Sequence, residues 1–175
     1  PLTTYKMNKI AIVVGHDSIE QGAFSNLLKQ SEFKYNSEVV KLLPFDVYYR
    51  STKGNYYDKM VELSKQINGK GYTLVIELHY NSFNGKAEGC EGLYWHSSSV
   101  GKRYAELFSK NVSTTYGTVN RGAKPIATKA DRGYWFFKLM DAPCLILEPF
   151  FGDNKEALKF KDVNKYAKLL IDTFC

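Results

Sequence analysis

Five short apolar runs rich in branched side chains punctuate this chain, at Lys9 to Val14, Asp46 to Tyr49, Thr73 to Leu78, Gly92 to Trp95 and Pro143 to Leu147. Each is strand-length, and apolar on consecutive positions rather than alternate ones, the pattern of strands buried on both faces. Helical periodicity fills the gaps. Ser31 is placed to cap a helix reaching about Leu43, and Asp58 to Ile67 carries Met60, Val61, Leu63 and Ile67 before Gly69 and Gly71 stop it. A third helix is expected over Val100 to Tyr116, ended by Gly117, and a fourth from about Val163 to the C-terminus. Strands alternating with helices in this way predict an α/β fold: a single three-layer domain with a mostly parallel, twisted β-sheet flanked by helices.

The 175 residues fit one domain. We expect it to span residues 7–175, with 1–6 an extension or cloning scar because Met7 follows them. No apolar run is long enough to cross a bilayer, and no apolar segment of a signal peptide opens the chain, so membrane insertion is not expected. Cys90, Cys144 and Cys175 are odd in number and form no CxxC, which argues against a disulfide framework or a thiolate zinc knot. The net charge of +6 favours an anionic partner, whether nucleic acid, a membrane surface or a cell-wall polymer, and charge alone does not choose among them.

In open α/β sheets ligands collect at the carboxyl ends of the strands. Gly15-His16-Asp17 follows the first strand, His79-Tyr80-Asn81-Ser82 the third, and Glu148-Pro149-Phe150 the last. Two of only three histidines therefore stand at strand ends. A catalytic zinc needs about three nitrogen or carboxylate ligands and an open position for water. His16 and His79 supply two, and the third is a carboxylate or His96; Glu32, in the first turn after Ser31, is the carboxylate at a helix start. Glu148, between Leu145-Ile146-Leu147 and Phe150-Phe151, would be costly to bury without a purpose and suits a general base. Glu77 competes for that role or, two residues before His79 on the same strand face, serves as a ligand or supports the imidazole.

Taken together, Val14-Gly15-His16, Ser31 to Asn36, Glu77 to Ser82, Asn120 to Lys124, and Leu147-Glu148 with Phe150 to Asn154 resemble the zinc-dependent N-acetylmuramoyl-L-alanine amidases. The likeness is greatest to catalytic domains of bacteriophage endolysins and covers nearly the whole chain from Met7. It implies zinc as cofactor, His16, Glu32 and His79 as its ligands, and Glu148 as the catalytic glutamate. It implies bacterial peptidoglycan as partner, with Asn81, Arg121 and Lys124 at the substrate and Glu77 and Asn36 behind the ligands. The reaction implied is hydrolysis of the amide between the lactyl group of N-acetylmuramic acid and L-alanine of the stem peptide. It further implies synthesis in a host cytoplasm and holin-mediated release to the wall, with either a C-terminal wall-binding domain outside this chain or a compact single-domain lysin.

Two other classes remain at this point. A zinc carboxypeptidase-like enzyme would use the same ligands and an arginine clamp, for which Arg121 is best placed among the four arginines. A non-catalytic glycan or nucleic-acid binder would rely on the basic, aromatic surface, with Arg132 to Lys138 as its one suggestive segment, read as a half-buried strand or loop or as part of a substrate groove. Nucleic acid is the less expected partner, because nearly all the positive charge is lysine. No Gly-x-Ser-x-Gly elbow is present for serine hydrolysis.

Overall fold

The computed structural model describes residues 9–175. The expected extension 1–6 and the start at Met7 lie outside the described residues. Six strands form one sheet in the order β4-β1-β5-β8-β6-β7. β1 (Ile10–Val14), β4 (Asp46–Tyr49), β5 (Leu74–Leu78) and β8 (Cys144–Glu148) run parallel. β6 (Cys90–Trp95) lies antiparallel to β8, and β7 (Asn120–Ile126) runs parallel to β6. The sheet is thus mostly parallel with a reversed pair at one edge. β2 (Phe24–Ser25) and β3 (Gln30–Ser31) make a small separate hairpin.

Every residue of β1, β5 and β8 is buried, as their unbroken apolar sequences require. One face of the sheet is covered by α1 (Glu32–Val40), α3 (Ser99–Tyr116) and α5 (Val163–Phe174). The other is covered by α2 (Tyr56–Ile67) and α4 (Tyr134–Leu139). A 3-10 turn at Lys155–Phe160 precedes α5. Ser31 caps α1 as expected, accepting from the Lys34 N–H, and Gly117 ends α3 in the left-handed conformation at φ 61°. α2 begins two residues earlier than its apolar pattern implied, because Asn55 and Asp58 form a capping box.

β7 and α4 depart from the sequence expectation. β7 is a largely exposed edge strand containing Pro125, so it has no apolar run to reveal it. The segment read as strand, loop or groove around Tyr134 is instead helix α4, which drives Phe136 and Phe137 into the core. Among the described residues no helix is long and apolar enough to cross a membrane.

Candidate functional site

Because side chains alternate across a strand, Glu77 and His79 share the α2/α4 side of the sheet with Val75, and Glu148 shares it with Ile146. All three emerge where the parallel strands end. His16 follows β1 in the left-handed region, at φ 66°, a backbone state that costs a residue with a Cβ about 1 kcal/mol. The loop beyond it is fixed by Asp17, which accepts from the Ile19 and Glu20 N–H groups and from Lys59 Nζ of α2 at 2.7 Å.

Glu32 reaches the same point from the start of α1. Its Oε1 accepts from the Ala23 N–H at 3.0 Å, which leaves Oε2 turned toward the histidines. That oxygen lies 3.1 Å from His16 Nε2 and 3.1 Å from His79 Nδ1. The buried Tyr80 locks the hairpin against β5: its hydroxyl shares its one proton between the Ala23 and Gln30 carbonyls, and the Ser25 N–H donates to it. Gly22 leaves room for the ligands, since a Cβ there would come within 2.5 Å of His16 Cδ2 and 2.9 Å of Glu32 Oε1, at a φ of 74°.

Two imidazole nitrogens and a carboxylate oxygen within 4.8 Å of one another make a donor set suited to a four-coordinate divalent ion with one position left for water. Electrostatics agree. Burial lowers the pKa of His79, but Glu32 and Glu77 outweigh it and raise it to about 9. Surroundings that draw a proton to this imidazole attract a metal cation by the same field. Burial likewise raises the Glu32 carboxyl, yet His16 and His79 hold it well below the usual carboxylate range.

Glu77 is fully buried beneath His79, with Oε2 3.2 Å from Nε2. With its Nε2–H directed at this carboxylate, the imidazole would turn an Nδ1 lone pair toward the cluster once it loses its second proton. Arg50, at the end of β4, donates to Glu77 Oε1 from Nε at 2.8 Å and from Nη2 at 2.6 Å. Burial is overcome by Arg50 and His79, and Glu77 stays ionised with a pKa of about 2. Glu77 therefore stands behind His79 and is already spent on Arg50. In the sequence Arg50 is simply one of four arginines. Its place directly after a parallel strand was the missed signal.

Glu148 is 3% exposed. Its Oε1 pairs with Arg132 Nη1 at 3.1 Å, while Oε2 is buried with no hydrogen-bond partner among the described residues. Burial raises its pKa, His79 and Arg132 lower it, and the balance falls at about 7. A cavity of about 340 Å³ brings Glu148 together with His16, Glu32, Glu77, His79 and Arg132.

A second acid, Glu91, escaped the sequence reading. β6 runs antiparallel, so its first residues meet the ends of the parallel strands, and Glu91 pairs across from Glu148. A search confined to strand carboxyl ends passes over it. Glu91 Oε1 accepts from Asn81 Nδ2 at 3.1 Å and from Arg132 Nη2 at 2.9 Å, and its Oε2 accepts from Arg121 Nε at 2.9 Å.

Several expected residues sit differently. Asn81 lines the cavity, but its amide is engaged by Glu91 and by Arg132 Nη1 at 2.7 Å. Arg121 stands behind Glu91 and does not line the cavity. Lys124 lies outside the cavity: it pairs with Leu93 and is exposed, well down a strand that runs away from the cluster. Asn36 does not support the ligands by hydrogen bonding. It is buried one helical turn past Glu32, and neither amide atom has a partner. His96 is exposed beside Trp95 at the far end of β6, so Glu32 is the third member of the cluster.

The family model for N-acetylmuramoyl-L-alanine amidase of the Amidase_3 type matches residues 10–173. Among solved structures, the catalytic domain of the CD27L endolysin targeting Clostridia difficile is similar at 27% identity and a TM-score of 0.78, covering 95% of this chain and 96% of that one. The CwlD amidase from Clostridioides difficile is similar at 18% identity and a TM-score of 0.74, over 95% of this chain and 94% of that one. The catalytic domain of CwlV, an N-acetylmuramoyl-L-alanine amidase from Bacillus (Paenibacillus) polymyxa var. colistinus, is similar at 20% identity and a TM-score of 0.69, over 94% and 95%. No curated protein sequence matches.

Proposed function

Because this chain belongs to the N-acetylmuramoyl-L-alanine amidase family, we propose that it hydrolyses the lactyl–L-alanine amide of peptidoglycan with zinc-activated water and Glu148 as general base. His16 Nε2, Glu32 Oε2 and His79 Nδ1 would hold the zinc, whose chemistry when bound is polarisation of a carbonyl and acidification of water. The observation that carries the reading is the buried, unpartnered Oε2 of Glu148 on the wall of the cavity that the His-Glu-His cluster also lines.

Glu148 Oε2 takes the proton from water and returns it to the departing amine, which leaves poorly unless protonated. Burial raises this carboxyl above its ordinary value, which suits a group that must both accept and release a proton. Arg132 fixes the opposite oxygen, so the carboxylate presents one lone-pair edge to the cavity. Glu77 holds the His79 tautomer, and Arg50 keeps Glu77 ionised. The family match favours this chemistry over a carboxypeptidase-like peptidase or a non-catalytic binder.

The likeness to an endolysin catalytic domain supports a phage lysin, made in the host cytoplasm and released to the wall. The charge of +6 suits attraction to an anionic wall. Zinc content and the bond cut in purified peptidoglycan, measured for wild type and Glu148→Gln, test the assignment. Retained zinc with new L-alanine amino termini lost is the expected result. Full activity in Glu148→Gln would overturn the role given to Glu148. Undiminished activity after chelation would overturn the metal chemistry.

A further inference from the structure

Two guanidinium groups grip opposite oxygens of the buried Glu91, and they are not equivalent. Arg132 spends both terminal nitrogens, on Glu148, Asn81 and Glu91. Arg121 spends only Nε, and its Nη1 and Nη2 have no partner among the described residues. Its side chain is 38% exposed.

The fold holds Arg121 in place. The β6–β7 ladder pairs Cys90 with Asn120 and then Glu91 with Gly122, so Arg121 is the extra residue of a bulge, a device that re-aims a side chain. Its stem crosses Gly89, where a Cβ would come within 3.0 Å of Arg121 Cγ and Cδ. The guanidinium lies over the Phe151 ring, 5.2 Å from its centroid. Anchored at Nε, stacked on one side and channelled by a glycine, it offers a planar two-donor edge whose ordering cost is met before any ligand arrives.

The geometry points to Arg121 as a subsite for a free carboxylate on the stem peptide, an assignment that rests on the amidase reading. β7 stands two strands from Glu148, about 10 Å in a sheet. An extended peptide covers about 7 Å in two residues, which brings the residue after L-alanine to this edge. In peptidoglycan that residue is a γ-linked D-glutamyl unit whose α-carboxyl is either free or amidated. A carboxylate accepts two parallel N–H bonds from an arginine edge, and a primary amide offers only one oxygen to it.

The test compares muramyl peptides carrying L-alanyl-γ-D-glutamate or its α-amide, with wild type and Arg121→Gln. Wild type is expected to cleave the free acid with the higher kcat/KM. Arg121→Gln is expected to lose about 10- to 100-fold on the acid, mainly through KM, and little on the amide. Cleavage of the amide also reports that the variant is folded. Independently of any variant, the free dipeptide acid should inhibit wild type about tenfold more strongly than its amide. Equal cleavage or equal inhibition by acid and amide overturns the subsite alone, as does an equal loss on both substrates in the variant. Absence of new L-alanine amino termini from either substrate in wild type overturns the amidase reading and the subsite with it.

Discussion

Replacing Arg50 by Met should weaken the protein through Glu77. Glu77 is 0% exposed and Arg50 9% at their side chains, and the pair is joined by two short contacts at 2.8 and 2.6 Å. With Arg50 gone, the carboxylate keeps only the His79 contact. Breaking a buried pair from one side costs about 3–5 kcal/mol, because the surviving charge stays desolvated. Loss of the guanidinium over the Tyr56 ring, at 5.3 Å, adds roughly 0.5–2 kcal/mol. Against a total stability of about 5–15 kcal/mol this is a large share.

Adding Glu77→Gln to Arg50→Met removes both charges, and the double variant should recover about 2 kcal/mol or more of the loss. The assay is urea unfolding with metal chelated, comparing midpoints at constant slope, since bound metal would stabilise the native state and mask the effect. The pH dependence has a defined sign. In wild type the Glu77 pKa is depressed to about 2, so its contribution is present above the unfolded value and disappears as pH falls toward 2. In Arg50→Met burial dominates and the carboxyl rises, so the deficit of the variant grows as pH increases. A double variant no more stable than Arg50→Met, or a deficit independent of pH, would refute the reasoning.

Glu148→Gln should behave in the opposite sense. Burial raises Glu148 from 4.5 to about 7, so the folded protein loses stability as pH rises across that window; in chelated protein the variant should gain on wild type over the same range, read as a growing difference in melting temperature. Gly22→Ala should lower zinc affinity and stability together, because its Cβ would overlap His16 and Glu32; zinc titration with a competing chelator checks this, and unchanged affinity would disprove the contact. Lys124→Ala should leave kcat/KM on peptidoglycan within about twofold, as expected for a surface position away from the chemistry, and a tenfold loss would return Lys124 to the substrate.

The parts of this molecule that were legible in the sequence are those whose physics is local. Buried parallel strands announce themselves as unbroken apolar runs, so β1, β5 and β8 could be placed, and His16, His79 and Glu148 with them. Ser31 marked the start of α1 and so brought Glu32 to the cluster. What stayed hidden depends on direction and long-range contact. The reversal of β6 turns the beginning of a strand toward the site, and no residue in its sequence reports that, so Glu91 went unseen. Arg132 sits on the loop before a short helix that opens with left-handed Gly133 and has no side-chain cap, and its meaning comes only from acids on two other strands. The setting of Lys124 was hidden for a related reason: near Arg121 in sequence, it lies further along a strand that runs away from the cluster.

That reversed pair has a consequence for how such an enzyme can change. The His16–Glu32–His79 cluster hangs from β1, β5 and the start of α1, whereas Arg121 hangs from the outermost strand, and in the sheet the two are joined only across the β8–β6 seam, where Glu91 faces Glu148. Substitutions along β7 can therefore alter what the Arg121 edge prefers while the cutting apparatus stays as it is. Under the proposed subsite, preference and cleavage would be carried by separate pieces of one sheet that meet where Glu91 faces Glu148.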